Sequence, residues 1–158
     1  MGSRRTLSRE LALQALYQHD VASGTDTPIT SAHELDAFLR NNTDDPRVFE
    51  YARTIVHGTL ALQDQIDQRI ARVAANWRLE RIAAVDRCVL RLALYELLEV
   101  PEVPPKVAIN EAIELAKKFS TEQSGAFVNG LLDRAYRGLV EEFGRGGASQ
   151  EGDPVEVS

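Results

Sequence analysis

Residues 107–119 (VAINEAIELAKKF), 120–125 (STEQSG) and 126–136 (AFVNGLLDRAY) decide the fold of this chain. Ile109, Ala112, Ile113, Ala116 and Phe119 recur at helical spacing and make one apolar stripe. Phe127, Leu131, Ala135 and Leu139 make a second, widened by Val128 and Leu132. The residues between are short and polar, so the stretch predicts a helical hairpin. Asn110 and Asn129 lie beside the two stripes. A buried amide without partners costs about 1–3 kcal/mol, so both are expected to make interhelical or capping hydrogen bonds.

Outward from the hairpin, the same periodicity fills most of the chain. A first helix is expected over about residues 7–21, with Leu13, Leu16 and Tyr17 inward and Ala12 and Ala15 allowing close approach. Residues 24–30 (GTDTPIT) are a loop by composition. Ser31 with Glu34 three residues later is a capping box, opening a short helix with Leu35, Phe38 and Leu39 inward. Residues 41–45 break it. Asp45 then supplies an N-cap acceptor, and Pro46 lacks an N–H where a helix has no use for one.

From Pro46 the stripe Val48, Tyr51, Ala52, Ile55, Thr59, Leu62, Ile66, Ile70 and Val73 runs without a clear stop. It predicts one long helix, or two nearly collinear ones bent near Gly58. Glycine costs about 1 kcal/mol in a helix interior, and close helix–helix contact is the reason read for it here. Trp77 falls in the connection that follows. Residues 79–99 are apolar on several sides, through Ile82, Val85, Val89, Leu90, Leu92, Leu94, Leu97 and Leu98. Such a helix is central and buried. Pro101, Pro104 and Pro105 end it. The last helix is expected to fade near Phe143. Residues 1–143 then form one helical domain with a basic arm at 1–9, and residues 144–158 a disordered acidic tail. No repeat or strand pattern occurs, and the fold class is all-α.

At 158 residues the chain is long enough to bury roughly 70% of its unfolded surface. Hydrophobic content of 44% and charged content of 27% suit a globular protein in water. No apolar run reaches the ~20 residues that span a bilayer, and no apolar segment follows the first arginines as in a secretory signal. A lone cysteine, Cys88, excludes an internal disulfide and points to a reducing, cytoplasmic setting. The net charge of −6 argues against a surface coated in nucleic acid. Its distribution matters more: Arg4, Arg5 and Arg9 stand against Glu10 alone at one end, and acids prevail at the other. A basic arm on an acidic body can hold a polyanion locally.

Catalytic and metal chemistry find no support in the spacing. His19, His33 and His57 are scattered, with no metal motif around them. Cys88 sits among apolar residues and reads as a structural thiol. There is no Gly-rich phosphate loop and no nucleophile elbow, and no cofactor is expected. Arg5 and Arg9 share a helix face at i,i+4 with Arg4 flanking. Guanidinium groups pair bidentately with phosphate and stack on bases, which suits single-stranded RNA; solvated terminal arginines are the plainer reading. Tyr17 and Tyr95 are either core edge or contact residues, with Tyr95 assigned to the core edge. Asp86-Arg87 opens a polar window in an apolar helix, as a solvated edge or as a partner patch.

Four segments carry a more specific message: 9–18 (RELALQALYQ), 86–98 (DRCVLRLALYELL), 107–119 and 127–133 (FVNGLLD). In order and over roughly residues 4 to 140, they resemble the NusB family of bacterial antitermination factors. The resemblance implies a compact bundle of about seven helices in two subdomains and a non-enzymatic activity. It further implies a partner, the small-subunit ribosomal protein NusE, and joint binding of the boxA element of nascent RNA, chiefly in ribosomal RNA operon leaders. The pair then joins RNA polymerase and suppresses premature termination.

By the same resemblance Arg4, Arg5 and Arg9 contact RNA, with Gln123 and Phe127 at the start of the last helix. Phe127 either stacks on a base or packs in the core. Tyr17, Glu80 and Asp86 look like the side that faces NusE. The arm is thinner than in many relatives, because Leu7 and Ser8 separate Arg5 from Arg9, and Ala126 stands where some relatives carry lysine. Two other readings remain: a NusB-like domain of an RNA methyltransferase, which needs a Gly-rich cofactor-binding domain, and a scaffold that self-associates as a homodimer and has little RNA binding of its own.

Overall fold

The computed structural model describes residues 3–23, 31–74 and 78–151. Readings that fall on residues 24–30, Trp77 and 152–158 lie outside them. Among the described residues there are seven α-helices and no strand: α1 Arg4–Ser23, α2 Ala32–Asn42, α3 Pro46–Ala61, α4 Gln63–Val73, α5 Ala84–Glu99, α6 Pro105–Phe119 and α7 Glu122–Glu151. None of them is long and apolar enough to cross a membrane.

Capping chemistry sets where the helices begin. The Ser3 hydroxyl accepts from the Thr6 N–H at 3.0 Å, so α1 starts at Arg4, ahead of the expected Leu7. Ser31 and Glu34 form both halves of the predicted capping box. Asp45 accepts from the Arg47 N–H at 2.9 Å, with Pro46 in the first turn. The α3–α4 break falls at Leu62 rather than Gly58. Gly58 is helical, and it lets α5 come close: a Cβ there would lie 2.3 Å from the Tyr95 ring. α5 starts only at Ala84, because Leu79–Arg81 form a 3₁₀ turn instead. The Arg87 guanidinium holds that turn, donating to the carbonyls of Leu79 and Ile82.

α5 is the centre of the bundle. Cys88, Val89, Leu90, Leu92, Ala93 and Leu94 are all buried on it, and it packs against α1, α3, α4, α6 and α7. One group, α1 with α2 and α3, lies to one side; α4, α6 and α7 lie to the other. A single apolar cluster runs through both groups. The Cys88 thiol is pushed up to about 12, by burial first and then by the Asp20 carboxylate, so it is inert. A charged network crosses this frame: Arg91 bridges Asp67 and Asp20, and Arg87 also reaches Asp20.

Two expectations are overturned. Asn110 and Asn129 are exposed, so neither needs an interhelical partner; each falls just outside its stripe, where water serves its amide. The last helix does not fade at Phe143 but continues to Glu151. Each glycine in that stretch costs about 1 kcal/mol, but a helix already nucleated by packing propagates at little cost per residue.

Candidate nucleic-acid interface

The three arginines of the arm meet three different environments. Arg4 is exposed and makes a 3.1 Å ion pair with Asp45 at the start of α3. Arg5 lies over the Tyr51 ring, 3.8 Å from its centroid. Such cation–π stacking contributes about 0.5–1 kcal/mol near the surface and leaves the guanidinium edge free to donate. Arg9 points inward. Its Nε donates to both carboxylate oxygens of Glu96 at 2.9 Å, and its side chain is 4% exposed. Burial disfavours its charge, but hydrogen bonding to Glu96, then the charges of Glu96 and Glu111, hold it above its ordinary value. The expected face shared by Arg5 and Arg9 is therefore split: Arg9 is a buried partner of Glu96 and is not presented to a phosphate.

Tyr51 completes this network by donating its hydroxyl to Glu96. Burial, then hydrogen bonding to Glu96, pushes that phenol well above its usual range, so it stays protonated and donating. Thr6 and Arg9 both reach Glu111 of α6, and Lys118 of α6 reaches Glu10 of α1 at 2.9 Å. The arm is thereby fixed to α6, the helix that leads into α7.

Between α1 and α3 opens a groove of about 440 Å³, lined by Arg4, Arg5, Arg47, Glu50, Tyr51 and Thr54. Arg47 escapes sequence reasoning because nothing in the sequence of α3 places it beside the arm. Only the packing of α3 on α1 brings it beside the arm.

The second predicted patch lies at the start of α7. Gln123 is exposed, and Phe127 is half-buried against the core, so its ring is partly packed and partly available. Beneath them the Ser124 hydroxyl donates to Asp86 Oδ2 at 3.1 Å, and Ser120, Thr121 and Ser124 bond to one another. Asp86 is only 7% exposed. Burial raises its carboxyl above the ordinary value, against the hydrogen bonds of Ser124 and Ser120. Its other oxygen has no partner among the described residues. The structure thus places Asp86 beneath the α6–α7 turn, where it tethers the first turn of α7. Tyr17 and Glu80 are exposed, and no hydrogen bond or ion pair among the described residues joins them. No cluster of His, Cys, Asp and Glu among those residues could hold a metal ion.

The chain is similar to known proteins over most of its length. The model of the NusB family matches residues 6–137. The transcription antitermination protein NusB of Myxococcus xanthus is 50% identical over 134 residues, covering 85% of this chain and 94% of its own. The structure of T. maritima NusB is 39% identical, covers 86% of this chain and 92% of its own, and superposes with a TM-score of 0.72. A crystal structure of antitermination factors NusB and NusE in complex with double-stranded RNA matches at 25% identity and a TM-score of 0.75, over 87% of this chain and 99% of that one.

Proposed function

Because the chain belongs to the NusB family, we propose that it is a transcription antitermination factor that binds boxA RNA of ribosomal RNA operon leaders together with NusE. The observation that carries the reading is a family match over nearly the whole chain, with its antitermination-protein relatives matched over nearly their full length. In this role the protein joins the RNA polymerase antitermination complex in the cytoplasm. It works by binding alone, without a cofactor or a catalytic step.

Arg4 and Arg5 are the arm's RNA contacts, supported by their position at the start of α1 away from Glu96. Gln123 and Phe127 extend the RNA face. Tyr17 and Glu80 serve the NusE side. Arg9 and Asp86 act through their neighbours, Arg9 by fixing α1 to Glu96 and Asp86 by seating Ser124. The withdrawal of Arg9 also favours a second reading, a scaffold or homodimer with little RNA binding of its own. A gel-shift titration of boxA against a scrambled RNA, with and without NusE, decides between them. Preferential boxA binding that NusE strengthens supports the first; equal binding of both RNAs sinks it.

A further inference from the structure

We infer that the groove between α1 and α3 is part of the RNA path, with Arg47 and Arg5 holding one backbone phosphate of the strand across it. The inference rests on the RNA-binding reading and adds a contact on a second helix. Arg4, Arg5 and Arg47 line the groove. Arg4 shares its charge with Asp45 in an exposed pair, whereas neither Arg5 nor Arg47 enters an ion pair among the described residues. At about 440 Å³ the opening has room for one nucleotide unit. The Tyr51 ring backs Arg5 on one wall, and Thr54 offers a hydroxyl from the same helix as Arg47.

The Arg47 guanidinium makes no hydrogen bond or ion pair among the described residues. It lies in the first turn of α3, which carries no acidic residue, and a cation there is opposed by the helix dipole. Arg53, on the same helix, is instead tied to Asp36 at 3.1 Å. A guanidinium that is unpaired, unfavourable to its helix and set beside the arm serves a ligand that brings negative charge. Phosphate is the anion that a planar guanidinium pairs with bidentately. The groove thus returns to the RNA face a charge that Glu96 withdraws with Arg9.

The test is the salt dependence of boxA binding to the complex with NusE, for the wild type, Arg47→Ala, Arg47→Lys, Arg5→Ala and, as a control, Arg53→Ala. Each phosphate contact on a single strand contributes roughly 0.7 to the slope of log K against log salt. Arg47→Ala is expected to weaken binding several-fold and flatten the slope by about that amount, as Arg5→Ala does. Arg47→Lys keeps the slope, and Arg53→Ala changes little. If Arg47→Ala behaves like Arg53→Ala while Arg5→Ala still weakens binding, the groove is not on the path and the RNA reading survives. Failure of the wild type to bind boxA overturns both. A parallel titration with adenosine monophosphate separates RNA from a free nucleotide: saturable binding lost in Arg47→Ala, with no change in RNA slope, assigns the groove to the small ligand and overturns the inference.

Discussion

Arg9 Nε donates to both carboxylate oxygens of Glu96, at 2.9 Å each, and the pair is closed off from solvent. The first helix is thus locked to the centre of the bundle by a side chain that the family resemblance marks as an RNA contact. Loss of Arg9 and loss of Arg5 should therefore look different in solution.

Arg9→Ala strands the Glu96 carboxylate inside the bundle. Breaking a buried pair on one side costs about 3–5 kcal/mol, which for a chain of this size lowers Tm by roughly 6–20 °C. Arg5→Ala removes only a stacked surface cation and should lower Tm by roughly 1–4 °C. Thermal melts of the two variants check this; equal melting points would remove Arg9 from the core.

In RNA binding the order reverses once the protein is folded. At a temperature where both variants are native, the double change Arg4→Ala with Arg5→Ala should weaken boxA binding to the NusE complex several-fold. With Arg4, Arg5 and Arg47 in contact, the wild-type salt slope is expected near −2, and the double variant near −0.7. Fluorescence anisotropy across a salt series measures both.

Gly58→Ala tests the α3–α5 contact. The new methyl meets the Tyr95 ring, which must rotate or push the helices apart. Overpacking of this kind costs about 1–3 kcal/mol, more than the ~1 kcal/mol that alanine contributes as a better helix former. A stabilised variant in urea unfolding would show that the ring moves freely. Adding Tyr95→Phe should recover little, because the ring carbons as well as the hydroxyl lie in the way.

The Asp20 and Asp86 carboxylates predict opposite pH behaviour. The Asp20 carboxyl is held below its ordinary value: burial opposes its charge, but hydrogen bonds from Arg87 and Arg91 outweigh it. It contributes stability above the unfolded value of about 3.9, lost as pH falls through the lower folded value. Asp20→Asn should therefore cost stability at pH 7, and the deficit should close in acid. Asp86 is raised by burial, so its contribution is present below about 3.9 and lost as pH rises through the folded value. Asp86→Asn should be more stable than the wild type at pH 7, with the gain shrinking in acid. Denaturant unfolding at pH 7 and pH 3.5 reads both differences.

Sequence alone determined the elements and the family. Helical periodicity, the Ser31–Glu34 capping box and the Asp45–Pro46 start all depend on neighbours within a turn or two of one helix. Such short-range rules can be read from one strand of text. The segment that opens α6 and α7 likewise carried the resemblance. Only the tertiary structure decided which of its charges are free. Arg9 meets Glu96, Asp86 meets Ser124, and Arg47 joins Arg4 and Arg5, each across helices far apart in the chain. A guanidinium has the same chemistry wherever it occurs. Whether it serves the core or a ligand depends on whether the facing helix supplies a carboxylate, and that pairing is set by how the helices pack.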